Sequence, residues 1–181
     1  MNESLYKKTE QFVIDSFIVA DKPTDVIHAQ RTAYWVGQLK NDPDEALLMA
    51  AVAHDIERAF YGDWKKGSSD VDALRKHQDL SARTIGTFLK KEGASDAVIE
   101  RVKHLVEHHE DGGDDDQNVL CDADCLAYFE EKALRHANEA KQQGRSIEMK
   151  ERLHYVFDRI TSSKAREIAR QFYDKAVDVL S

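Results

Sequence analysis

The chain is short of the residues that interrupt helices and of those that staple small folds. Its 181 residues include two prolines and eight glycines. Proline removes an amide donor and breaks helix interiors, so so few breakers leave room for long helices. Two cysteines, Cys121 and Cys125, are too few for a disulfide scaffold and fit a reducing, cytoplasmic setting. Positive charge is in the minority: 26 Lys and Arg stand against 34 Asp and Glu, a net charge of -8. That balance argues against broad binding to nucleic-acid polymers or anionic membranes. It still admits a small anion, because bound cations would invert the local field. Long apolar runs are also missing. The most apolar stretch, residues 46–53, falls far short of the roughly 20 residues of a membrane span. Residues 1–8 are polar, with no signal-peptide apolar region behind them. No segment alternates over several residues, so strand signals are absent.

What remains is helix. The pattern predicts an all-α bundle in a single domain, 1–181, with helices over about 3–20, 24–40, 43–58, 71–92, 96–109 and 119–141 and two more after Gly144. Each proline sits where a helix begins. Asp42 reads as an N-cap, Pro43 as the first helical residue and Glu45 as the reciprocal capping partner. Gly93 reads as a C-cap and Ser95 as the next N-cap. Residues 61–70 and 110–118 read as polar loops.

The apolar run 46–53 ends directly on His54-Asp55. An imidazole and a carboxylate at the end of a core helix need a cation or a hydrogen-bond network, because buried charge without a partner is costly. A divalent metal accepts both. Two further segments offer ligands of the same types: His28 in the second helix, and Asp124 within Asp122-Ala123-Asp124-Cys125-Leu126. Alone, His28 reads as a helix histidine bonded to a carbonyl, and Asp122 as an acid placed by a helix dipole.

Taken together, His28, then His54-Asp55, then Asp124 in Ala-Asp-x-Leu resemble the HD-domain superfamily of metal-dependent phosphohydrolases, over about residues 24–130. The resemblance implies an all-helical bundle with a central metal site held by His28, His54, Asp55 and Asp124. The cofactor would be one or two divalent cations, among Mn, Fe, Co, Ni, Zn and Mg. For a second cation, dinuclear relatives place ligands where His77, His108 and His109 stand, with His77 and His109 ahead of His108 and Asp55 bridging. His109-Glu110 before Gly112-Gly113 resembles a His-Glu-x-Gly-Gly turn of one microbial subgroup. His104 falls outside that pattern and reads as structural, and His136 and His154 as solvent-facing. Cys121 and Cys125 read as small side chains packed beside the site.

The implied chemistry is hydrolysis of a nucleotide or other small phosphate ester by a metal-activated water, with Asp55 orienting the water. Arg58 stands where many relatives have the lysine of His-Asp-x-Gly-Lys, and its guanidinium could grip phosphate. Glu57 replaces the usual glycine. It either positions water or protonates a leaving group, or is a helix-surface residue paired with a cation. Gly62-Asp63 resembles a pair in the nucleotidase branch, Lys65 could attract anions, and Arg31 is either a phosphate contact or the partner of an acid. Two other readings stay open: a di-iron oxygenase on the same fold, and a non-catalytic metal or nucleotide sensor. A homodimer also stays open.

Overall fold

A computed structural model describes residues 3–62 and 70–181. Lys65, and Asp63 of the Gly62-Asp63 pair, lie outside the described residues. The described elements are α1 (Leu5–Val19), α2 (Pro23–Leu39), α3 (Glu45–Ala53), α4 (Arg58–Tyr61), α5 (Val71–Lys91), α6 (Asp96–Val106), α7 (Asp115–Tyr128), α8 (Leu134–Gln142), α9 (Ser146–Asp158) and α10 (Ser163–Val179). A π-helical turn, Phe129–Ala133, joins α7 to α8. No strand occurs among the described residues, so the chain is an all-α bundle.

Helix α3 is its axis. It is apolar all round, the pattern of a helix enclosed on every side, and Leu47, Met49 and Val52 are buried together with its run of alanines. α1, α2, α6 and α7 pack against it. This first core is completed by Val13 and Phe17 of α1, Val36 of α2, Ile85 and Leu89 of α5, Leu105 of α6 and Leu120 of α7. A second core, built from Cys125, Leu126, Phe129, Leu153, Phe157, Ile160 and Ala169, lies under the C-terminal helices. Trp35 and Leu39 of α2 touch both cores.

Four helix boundaries differ from the sequence expectation. The N-cap of α3 is Asp44, whose side chain accepts from the Leu47 amide at 2.8 Å, rather than Asp42. Asp42 instead takes a left-handed turn at φ 52. Glu45 is drawn away from a capping box because its carboxylate accepts the Tyr6 amide of α1. At the other end α3 stops at Ala53, and residues 54–57 continue as a tight turn with bonds from Ile56 N to Ala53 O and from Arg58 N to Asp55 O, both 3.1 Å. α6 likewise stops at Val106, before His108 and His109. α7 begins at Asp115, earlier than expected, because Asp114 and Gln117 form a reciprocal capping box inside the stretch read as loop.

Asp122 and Asp124 separate cleanly in role. Asp122 is buried and accepts from Thr161 N at 2.6 Å, Thr161 Oγ1 at 3.1 Å and Ser162 N at 3.0 Å, tying α7 to the start of α10. Charge-assisted bonds of this kind contribute roughly 1.5–3 kcal/mol each, and stranding the donors adds to the loss. Asp122→Ala is expected to lower unfolding stability by about 3 kcal/mol and leave bound metal unchanged. Denaturant titration and elemental analysis of the same variant check both halves.

Candidate metal centre

Five elements meet at one buried point: α2, the turn after α3, α5, the turn after α6, and α7. They carry six potential ligands in two groups. His28, His54 and Asp124 form the first, and Asp55, His77 and His109 the second; within each group one ligand atom per residue lies within 4.8 Å of the others. All six residues are buried.

The first group closes on Asp124. Its Oδ1 lies 3.0 Å from His28 Nε2 and 3.4 Å from His54 Nε2. The second closes on Asp55, whose Oδ1 lies 3.1 Å from His77 Nε2 and 3.9 Å from His109 Nε2. The other oxygen of Asp55 faces the first group, 3.6 Å from His54 Nε2 and 3.9 Å from His28 Nε2. One carboxylate therefore stands between two sets of imidazoles.

Local structure fixes which ring nitrogen faces the centre. Carbonyls in the last turn of a helix lack intrahelical partners. His54 Nδ1 donates to one of these, Ala51 O, at 2.9 Å. His109 Nδ1 does the same at the end of α6, donating to Val106 O at 2.7 Å. His77 Nδ1 donates to Glu57 Oε1 at 2.5 Å. In the neutral ring each Nε2 is thereby left with a lone pair aimed inward. His54 Nε2 is buried with no hydrogen-bond partner, and His77 Nε2 meets His109 Nε2 at 3.2 Å. Lone pairs turned on one another and on carboxylate oxygens need a cation between them. Each of the two groups is thus able to coordinate a divalent metal ion.

Titration tendencies divide the rings: burial would lower His54, but the neighbouring Asp55 and Asp124 outweigh it and raise it. Burial, helped by Lys132, pushes His28 down to about 4. Burial, then the neighbouring His54 and His77, holds His109 well below the usual imidazole range. Both rings stay neutral, as ligands must. Burial opposes ionisation of Asp55, but Arg58, His54 and His77 outweigh it and hold the carboxyl well below its ordinary range. Asp124 behaves alike, under His28, His54 and Arg159. Burial would also lower His77, yet its bonds to Asp55 and Glu57 raise it to about 9. In the metal-free protein a proton on His77 takes the place of a cation.

Glu57 is buried, not a helix-surface residue. Its two oxygens are engaged by His77 Nδ1 and by Ser81 Oγ, the latter at 2.7 Å, so the carboxylate orients a ligand imidazole. Arg58 reaches the centre: its NH1 is 2.9 Å from Asp55 Oδ2 and 3.8 Å from Asp25 Oδ1, and its buried Nε has no partner. Arg31 points elsewhere. Its guanidinium makes two 2.8 Å bonds to Glu130 and stacks on Tyr34, so of the two roles read for it, it takes that of partner to an acid. His108 is not brought to either group. It stands next to His109 and turns away, its ring 5.4 Å from that of His104. His104 bonds Gln117 at 3.0 Å and so holds the start of α7. His136 is part-buried rather than solvent-facing, whereas His154 is exposed. Cys121 and Cys125 are buried free thiols.

Two residues at the centre, Arg159 and Lys132, carried no sequence signal. Arg159, at the end of α9, donates to Asp124 Oδ2 at 3.2 Å and pairs with Glu110 at 2.7 Å. Lys132 of the π-helical turn pairs with Asp25 at 3.0 Å. Neither belongs to a spacing pattern, because each is delivered by packing of a helix end or an irregular turn.

Two outcomes follow from this geometry. Asp55→Asn is expected to lose metal from both groups, while the double variant His77→Ala, His109→Ala keeps about half the wild-type metal, since ligand deletion empties the site it serves. Elemental analysis decides, and full metal content in Asp55→Asn would refute the bridging geometry. The metal-free protein should be most stable near pH 6.5. His77 holds its proton in the fold up to about 9, so the stability it adds is complete below about 6.5 and disappears as pH rises through about 9. His28 stays neutral down to about 4, so its contribution is present above about 6.5 and lost as pH falls through about 4. Metal loading removes the alkaline fall, because His77 then has no proton to lose; melting curves with and without chelator across pH 4–10 read this directly.

No curated protein and no solved structure matches the chain significantly. A family described as a domain of unknown function, DUF4202, matches residues 11–177, a span holding every ligand of both groups together with Lys132 and Arg159, and the chain belongs to that family.

Proposed function

We propose that this chain is a metal-dependent phosphohydrolase of the HD-domain type, acting as one domain on a small phosphate ester with two divalent cations. The reading is carried by the position of Arg58. A guanidinium 2.9 Å from the carboxylate that stands between the two ligand groups, with 21% of its side chain exposed, is placed to meet a phosphoryl group arriving at the cations. When bound, divalent cations neutralise phosphoryl charge and lower the pKa of water toward 7. The protein's own part is orientation and charge. His28, His54 and Asp124 would hold the first cation and His77 and His109 the second, with Asp55 available to both. Ala51, Val106 and Glu57 fix the imidazoles through Nδ1. Arg159 restrains the outer oxygen of Asp124. The burial of the ligands excludes bulk water, which strengthens every charge interaction at the centre.

A second reading has an observation of its own. Each group is two histidines and one carboxylate, the donor set that also serves non-haem iron in oxygenases. Loading with iron and following oxygen uptake separates the two readings.

The direct test is a phosphate-release screen of metal-loaded protein over nucleoside monophosphates and sugar phosphates. On the best substrate, Arg58→Ala is expected to lower kcat/KM roughly ten- to a hundred-fold, the loss of a charge-assisted bond. Arg58→Lys should recover part, as a point charge without the fork. Metal content should not change. Wild-type kcat/KM in Arg58→Ala would exclude the phosphate contact.

A further inference from the structure

We infer that Asp25, Arg58 and Lys132 form an anion subsite beside the metal centre, and that it selects phosphate monoesters in their dianionic form over diesters. The inference rests on the phosphohydrolase reading and extends it to substrate class.

Three observations carry it. First, two cations converge on one acceptor atom. Lys132 Nζ lies 3.0 Å and Arg58 NH1 3.8 Å from Asp25 Oδ1. Asp25 engages Lys132 at hydrogen-bond distance and Arg58 only at longer range, which leaves donors of Arg58 open toward the subsite. Arg58 Nε has no partner at all although it is buried, and an unmet buried donor carries a desolvation cost that a ligand acceptor would remove. Second, Arg58 also bonds Asp55 Oδ2 at 2.9 Å, so the subsite adjoins the shared ligand directly. Lys132 is close enough to His28 to be the chief charge depressing it. Third, Lys132 belongs to the π-helical turn Phe129–Ala133, which interrupts an otherwise continuous helix. Such turns are uncommon and recur at functional sites.

Charge sets the ligand class. Around the centre lie the carboxylates of Asp25, Asp55, Asp124, Glu57 and Glu110 and the cations Arg58, Lys132 and Arg159. With neutral imidazoles this leaves two negative charges in excess. With water rather than hydroxide on the cations, two divalent cations turn that into two positive charges, which a monoester dianion cancels and a diester monoanion only halves. The low-dielectric surroundings make the difference count. Asp25 holds Arg58 and Lys132 in place until a phosphoryl group takes over their donors.

The test uses the full chain, metal-loaded, with titration calorimetry of methyl phosphate and dimethyl phosphate, melting temperature read on the same samples. Methyl phosphate should bind at least tenfold more tightly than dimethyl phosphate. Lys132→Ala should weaken methyl phosphate about tenfold, the loss of one charge-assisted bond, and leave dimethyl phosphate nearly unchanged. Asp25→Asn should act in the opposite direction, binding methyl phosphate as tightly as wild type or more so, because the competing carboxylate is gone. If Lys132 and Asp25 only stitch α2 to the π-helical turn, both variants lower the melting temperature alike and neither changes binding, which overturns the subsite. Equal affinity for the two esters overturns the monoester selection. If wild type releases phosphate in the screen but Lys132→Ala binds normally, only the subsite fails. If metal-loaded wild type neither binds nor hydrolyses any phosphate ester, the phosphohydrolase reading falls with it.

Discussion

The carboxylate of Asp55 is the constraint on which the rest of the structure depends. It is buried between two sets of imidazoles, with one oxygen directed at each. An ionised carboxylate in such a place costs several kcal/mol unless it is matched. Almost every residue nearby can be understood as part of that match. Arg58 pairs with it, His77 is charged by it, and the remaining rings turn lone pairs toward the space where cations would sit. Apolar packing of the same volume is often at least as stable, so this buried charge is better accounted for by a metal-binding role than by fold stability.

The helices contribute more than walls. α3 and α6 both end at the centre, and at each end a carbonyl of the last turn takes a histidine Nδ1 proton. Helix termination therefore chooses the tautomer of one ligand in each group. Glu57 does the same for His77 with a side chain instead of a carbonyl, held in turn by Ser81 of α5. On the outer side, Arg159 ties Asp124 and Glu110 to the end of α9. The C-terminal core thus reaches the centre through Arg159 as well as through Lys132 of the π-helical turn.

Ligand types, their order and the helical class are legible in the sequence, because each depends on local pattern. An apolar run closing on His54-Asp55 signals a buried polar pair, and a buried polar pair demands partners of its own kind. Glu57 shows where pattern stops. Its helix-surface and chemical readings could not be separated without knowing that Ser81 and His77 of the next long helix lie over it. Arg31 is similar: one turn from His28 on the same helix, it is claimed by Glu130, a residue 99 positions away. His108 and His109 are adjacent in sequence and alike in chemistry, and only the exact end of α6 decides which of them turns inward.

By itself the sequence determined an all-helical chain with imidazoles and carboxylates at core positions, because helix periodicity, capping and the cost of buried charge act over a few residues. The tertiary structure decided the rest. It decided that six potential ligands divide into two groups about one carboxylate. It decided that Glu57 orients a ring, that Arg58 faces the centre while Arg31 does not, and that Lys132 and Arg159 come to the site at all. Those outcomes rest on distances between elements set by packing two cores against α2 and α7, and no spacing along the chain encodes them.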